Sequence, residues 1–211
     1  MISETVYEKY LNLLLEGNRA GCTRIVQDLL DKGVNLKALY YDLFQKSLYR
    51  IGELWEYNRI SVAREHLTTA ITEALMSLTY PSLFESRQYE QGKKILISCA
   101  ANEFHQIGGR MVADICELNG WDTDFLGANT PVDHMLKHIQ DTKPDLVGLS
   151  LSVYFNMASL QNGIEAIRSD FKNLDIFVGG QAFQWGGKDL IKQHTNTEYI
   201  PTLDELEKSI Q

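Results

Sequence analysis

Residues 94–109, Lys-Ile-Leu-Ile-Ser-Cys-Ala-Ala-Asn-Glu-Phe-His-Gln-Ile-Gly-Gly, decide how the rest of the chain is read. Residues 94–100 are a continuous apolar run of strand length, the pattern of a strand covered on both faces. A polar loop follows, and then a helix-like stretch at 109–118. The same grammar continues downstream. Strands are predicted at 123–127, 146–153, 175–178 and 199–200, alternating with helices at 131–143, 156–170, 187–194 and from 202 onward. Pro131 sits in a first helical turn, and Lys143-Pro144 closes that helix. Strands and helices alternating at this spacing imply a flavodoxin-like (Rossmann-like) five-stranded parallel sheet, order 2-1-3-4-5. A ligand would then lie beyond the carboxyl ends of strands one, three and four.

Upstream of residue 86 the pattern is helical throughout. Val6, Tyr10, Leu13 and Leu14 line one face of a predicted helix at 3–16, and Cys22, Ile25, Val26, Leu29 and Leu30 line one at 20–32. Each is followed by a glycine stop. A third helix at 36–56 carries Leu39, Leu43, Phe44, Leu48, Ile51, Leu54 and Trp55. The fourth is capped by Ser61 and is expected to end near Tyr80, before Pro81. Short connections imply an antiparallel four-helix bundle. The polar residues 86–92 read as a linker, so the expected organisation is a bundle at 1–85 and an α/β domain at 93–211.

The 211 residues carry 20 basic and 28 acidic side chains, a net charge of -8, and neither half is a basic arm. That balance disfavours direct binding to nucleic acid or to an anionic membrane surface. No apolar run approaches the roughly 18 residues of a membrane span, and the first residues lack a leader pattern, so a cytoplasmic location is expected. Cys22, Cys99 and Cys116 are widely spaced and read as reduced and buried.

The chemistry gathers in the loop after the first strand. His105 can offer one ring nitrogen to a metal while Glu103, two residues earlier, accepts a hydrogen bond from the other. That pairing fixes the tautomer and raises the basicity of the ligating nitrogen. Gly108 follows at +3. The third strand ends in Ser150-Leu151-Ser152, with 41 residues between Gly108 and Ser150, and the fourth ends in Gly179-Gly180, with 26 residues between Ser152 and Gly179.

These features resemble the cobalamin-binding domain, whose pattern is D-x-H-x-x-G, then S-x-L, then G-G at similar intervals. The resemblance covers residues 92–211 and implies that His105 replaces the cofactor's own dimethylbenzimidazole as lower cobalt ligand. It further implies that Ser150 hydrogen-bonds the displaced benzimidazole and that Gly179 and Gly180 leave room for it. Glu103 stands where aspartate is usual, and Ser152 where leucine is usual.

Residues 55–66 read W-x9-E-H, which resembles the helical cap of the CarH-type photoreceptors. By that resemblance Trp55, Glu65 and His66 surround the upper ligand of adenosylcobalamin. The indole would cover flat apolar surface, and the carboxylate and imidazole would bond ribose hydroxyls or adenine edges. The alternative is a core tryptophan beside a salt-bridged surface pair. Glu56 occupies the position of the light-state histidine ligand of that group, so bis-histidine ligation after illumination is not expected. The chain begins at its first bundle helix, without a helix-turn-helix segment, and is not expected to repress DNA by itself. In this it looks like the photocobilins, which also hold a linear bilin such as biliverdin without a covalent bond. Tyr40, Tyr41, Phe44, Tyr49 and Tyr57 offer aromatic surface for one, although aromatics at helical spacing more often build a core.

The function so implied is a non-catalytic light-sensing signalling protein, working through a homo-oligomer or a separate effector. The rival is a corrinoid methyl-carrier of a methyltransferase system, and a third possibility is a scaffold without ligand. His134 and His138 form an i,i+4 pair without a third metal ligand and read as a solvated helix face.

Overall fold

The structure, a computed structural model, describes residues 2–87, 89 and 91–211. The chain divides into two compact units, Met1–Ser86 and Arg87–Gln211. Within the described residues of the first, α1 (Glu4–Glu16), α2 (Arg19–Asp31), α3 (Leu36–Ala38), α4 (Lys46–Glu56) and α5 (Val62–Ser86) follow one another. Ser3 and Asn18 cap the first two helices by accepting from the backbone N–H groups of Val6 and Gly21. Ser61 caps α5 through the Arg64 N–H at 3.2 Å. Gly17 ends α1 in the left-handed region, at φ 76°, where a side chain would be strained.

Two features of this unit depart from simple helical expectation. Residues 36–56 are one helical run, but Leu39–Gln45 is wound as π-helix. Leu39, Tyr40, Leu43 and Phe44 are all fully buried, so two adjacent pairs four residues apart share the core-facing side of this stretch. The second is α5, which passes through Pro81 and ends at Ser86. An interior proline costs about 3 kcal/mol. Leu83, two residues further into the last turn, is fully buried, and burying such a side chain returns about 1.5–3 kcal/mol, which offsets most of that cost and carries the helix on. The expected linker at 86–92 falls partly on residues 88 and 90, which lie outside the described residues. Gln91 already belongs to the second unit: its N–H and its side-chain amide both donate to carbonyls of the 119–120 turn.

The second unit is the five-stranded parallel sheet, in the order β2-β1-β3-β4-β5. Its elements are β1 (Lys94–Cys99), α6 (Ile107–Leu118), β2 (Asp122–Phe125), α7 (Val132–Thr142), β3 (Leu146–Ser150), α8 (Met157–Asp170), β4 (Asp175–Gly179), α9 (Lys188–Ile191), β5 (Thr197–Tyr199) and α10 (Leu203–Ile210). Alternation sorts the two faces. Leu96, Val147, Leu149, Ile176 and Val178 pack with Met135, Ile139, Leu160, Ile164 and Ile167 of α7 and α8. The opposite face is covered by α6, on which α10 docks: Asn119 donates to Glu207 at 3.0 Å and the Trp121 indole to the Ile210 carbonyl at 3.1 Å. All three cysteines are free and buried. No helix among the described residues is long and apolar enough to cross a membrane.

Gly148 sits in the middle of β3, on the α6 face. A methyl group there would fall against the Phe177 ring and within 2.6 Å of Ile97 Cδ1. Gly148→Ala is therefore expected to destabilise the sheet unit by about 1–3 kcal/mol, read as a lower urea midpoint; an unchanged midpoint would mean that both neighbours move aside.

Candidate functional site

The sheet register brings Cys99, Ser150 and Gly179 side by side across β1, β3 and β4 at the carboxyl edge. The first turn of α6 packs on this row. A methyl group added at Gly109 would lie 3.5 Å from both Cys99 Sγ and Ser150 Cβ, and one added at Gly108 would lie 3.9 Å from Ser150 Oγ. Ser150 is nearly buried, and burial pushes the Cys99 thiol up to about 12, which makes it an inert wall.

The loop leaving β1 carries Glu103, fully buried, and His105, whose side chain is half exposed. Glu103 Oε1 accepts from His105 Nδ1 at 2.6 Å and from the His105 backbone N–H at 3.0 Å. Its other oxygen accepts the N–H groups of Ser152 at 3.0 Å and Val153 at 2.9 Å. Burial alone would raise the Glu103 pKa. The hydrogen bonds from the His105 ring and backbone, and from Val153, outweigh it and hold the group below the usual carboxylate range. An ionised Glu103 fixes the proton on Nδ1 and leaves the lone pair on Nε2, the form in which imidazole ligates a metal.

The same carboxylate explains why β3 stops at Ser150 and not at the expected 153: the N–H groups of residues 152 and 153 turn away from the ladder to reach it. Ser152 thus contributes its backbone to the Glu103 network. Gly180 has φ 117°, and a methyl group there would land on the Leu151 carbonyl, while one at Gly179 would approach the Ile200 carbonyl to 2.9 Å. The glycine pair is required by the chain's own backbone, whereas the resemblance assigns it to making room for a nucleotide tail. Around the loop lies apolar surface. Phe104, Phe155 and Trp185 are 69%, 91% and 64% exposed, and Tyr154 lies within 3.5 Å of a methyl group built at Gly186, next to Trp185. A half-exposed, pre-oriented imidazole ringed by aromatic surface fits a flat macrocycle carrying a single axial metal ligand. A cavity of about 470 Å³ lies elsewhere, lined by Ile139, Lys143, Phe171 and Leu174 at the opposite end of the strands.

In the helical unit Trp55 is 48% exposed, so it is not a core tryptophan. Glu65 accepts from Thr69 at 2.9 Å and pairs with His66 Nδ1 at 2.7 Å, in the first turn of α5. Tyr40 and Phe44, expected as possible bilin-stacking surface, are fully buried and serve the core; Tyr40 bonds Thr79 at 3.2 Å. Tyr49 and Tyr57 remain exposed. His134 and His138 do not act as a pair: His138 Nε2 bonds Asp124 at 2.9 Å, and His134 is exposed beside Asp133. No group of three or more histidine, cysteine or acidic ligands occurs among the described residues.

Sequence reasoning missed the two asparagines that brace the ligand loop. Asn102 and Asn129 both lie in the left-handed region, at φ 64° and 50°. Each follows an alanine in the loop after a strand, a pattern visible in hindsight. Glu103→Ala would leave three backbone N–H groups without their acceptor, a loss of about 1–3 kcal/mol. Hydrogen exchange at Ser152 and Val153 is expected to accelerate roughly tenfold or more, and unchanged protection would show that the carboxylate does not fasten the two loops.

A family model described as B12 binding domain matches residues 93–199, and a second with the same description matches residues 6–79. Monomethylamine corrinoid protein 1 of Methanosarcina acetivorans is 27% identical over 157 residues, 72% of this chain and 72% of that protein. The HTH-type transcriptional repressor CarH of Myxococcus xanthus is 25% identical over 162 residues, 74% of this chain but only 52% of the repressor. In fold, the chain matches the Methanosarcina barkeri monomethylamine corrinoid protein with a TM-score of 0.86 at 15% identity, over 99% of this chain and 98% of that one. With the first match alone spanning half of its length, and with a pre-oriented histidine at the sheet edge, the chain belongs to the B12-binding domain family and is a cobalamin-binding protein.

Proposed function

We propose that this protein binds adenosylcobalamin with His105 as the lower cobalt ligand and works as a non-catalytic, light-responsive signalling protein. The observation that carries the reading is Trp55, a large indole left half exposed in the helical unit near a hydrogen-bonded Glu65–His66 pair in sequence. An exposed tryptophan in a family of cobalamin binders is surface in want of a flat partner. Adenine is such a partner, and Glu65 and His66 supply the polar contacts that a ribose or an adenine edge requires. Similarity to the CarH repressor supports the same assignment.

When bound, adenosylcobalamin supplies a visible chromophore and a cobalt–carbon bond that light breaks. The protein's part would be to hold the group: His105, oriented by Glu103, would ligate the metal from Nε2, and Ser150 would hydrogen-bond the displaced nucleotide tail. Trp55, Glu65 and His66 would hold the adenosyl group, and without those contacts the helical unit would be free to change an oligomeric or effector-binding surface.

A second reading, a methyl-carrier serving a methyltransferase, is favoured by the similarity to monomethylamine corrinoid proteins over most of both chains. The two differ in what stands above the cobalt. Base–aromatic stacking contributes about 1–3 kcal/mol, so Trp55→Ala is expected to weaken adenosylcobalamin binding roughly 5- to 150-fold and to spare methylcobalamin. His105→Ala should weaken both. Green light on the adenosylcobalamin complex should change its spectrum and its elution volume. Equal affinity for the two cofactors, indifference to Trp55→Ala and no light response would together replace the sensor by the carrier. Biliverdin added in the same titration tests the bilin: a red-absorbing complex would extend the sensor, and its absence confines the chromophore to the corrin.

A further inference from the structure

His105 does not hold its own loop, and Glu103 is not its sole support. Asn129, in the loop after β2, reaches across to the residues immediately before the histidine with two hydrogen bonds. Its side-chain oxygen accepts the Asn102 N–H at 2.9 Å, and its own N–H donates to the Glu103 carbonyl at 2.9 Å. From the other side, the Asn102 side-chain amide donates to Ser159 of α8 at 3.1 Å, and the Asn156 amide donates to the Asn102 carbonyl at 3.0 Å. The dipeptide 102–103 is therefore gripped by elements that follow β2 and β3. Both Asn102 and Asn129 have φ near +60°, which asparagine adopts more readily than most residues. Neither touches the His105 ring by any of these bonds.

We infer that Asn129, acting through Asn102, is a positioning residue for the cobalt ligand: it fixes the backbone from which Glu103 and His105 project, and so sets how fully His105 replaces the cofactor's own base. The inference rests on the reading of His105 as lower ligand. It adds that the loop after β2, which contributes no group to the metal, determines ligation. Side chains that hold a ligand through a second residue commonly change metal affinity roughly 10- to 100-fold when lost.

Two substitutions separate the hydrogen bond from the backbone conformation. Asn129→Gly keeps the left-handed backbone and removes the acceptor. Asn129→Asp keeps both. The full-length protein, labelled with heavy nitrogen at histidine only, is loaded with cobalamin and reduced to cobalt(II). The paramagnetic resonance splitting is then a doublet if a protein histidine ligates and a triplet if the cofactor's unlabelled base does. The wild type and Asn129→Asp should give the doublet. Asn129→Gly should give a substantial triplet component and roughly tenfold weaker retention, and in the cofactor-free protein the Asn102 amide should exchange faster.

A pure doublet with unchanged retention in Asn129→Gly, while His105→Ala loses the doublet, overturns the positioning role and leaves the ligand reading standing. A doublet that survives His105→Ala overturns the ligand reading, and this inference with it. Should Asn129→Gly not fold, Ser159→Ala carries the test, because it removes the partner of the Asn102 amide from a helix that accommodates alanine. A triplet component then supports the role, and an unaltered doublet overturns it.

Discussion

A carboxylate with no exposure to water is tolerable only if its hydrogen-bonding capacity is filled, because an unpartnered buried ion would instead take up a proton. Glu103 meets that condition with three backbone N–H groups and one imidazole N–H, divided between its two oxygens. The division is what joins the loops: one oxygen serves the segment after β1 and the other the segment after β3. Glutamate has one methylene more than the aspartate usual in the related pattern, and here both of its oxygens are engaged on different loops. The imidazole's tautomer, the early end of β3 and the departure of residues 152–153 from the sheet all follow from this single group.

Much of the fold could be read from the residues because the apolar runs of β1, β3 and β4 are short, continuous and separated by helical spacing. The strand order 2-1-3-4-5 is one of the common orders for such alternation, and the sheet adopts it. The errors have local causes. Leu151 is fully buried, so the sequence beyond Ser150 looks like strand, and nothing in it announces that the next two N–H groups are claimed by a residue nearly fifty positions earlier. Pro81 is a strong stop in isolation but is overridden by the buried Leu83. Glu103 and His105 were legible from their two-residue spacing, since both lie in one loop. Asn102 and Asn129 were not, because asparagine is common in loops and its partner 27 positions away becomes evident only when the loops meet. Gly179 and Gly180 were found by pattern, and the fold adds a reason of its own: they admit backbone carbonyls of the same chain.

The two functional readings share everything below the cobalt and diverge in the helical unit. There the sequence offered a choice between a core tryptophan and a ligand-facing one, and the indole, half exposed, is not core. The aromatic residues divide likewise: Tyr10, Tyr40 and Phe44 form a tilted cluster with ring centroids about 6 Å apart, which is packing, while Tyr49, Trp55 and Tyr57 stand outside it. Periodicity alone does not distinguish these sets, because the π-helical stretch shifts the phase between them.

That shift constrains which length changes the unit can accept. An i→i+5 turn holds about one residue more than the α-turn it replaces, so deleting one residue from Leu39–Gln45 and letting the stretch relax to α-winding would leave α4 near its present azimuth, whereas deleting one from an α-wound part of the run would turn it by about 100°. The azimuth of Trp55 would swing only in the second case. The wide turn is thus a place where this helix takes in one extra residue without re-aiming its exposed indole, and a relative one residue shorter there, wound as α-helix throughout, should present its indole at the same azimuth.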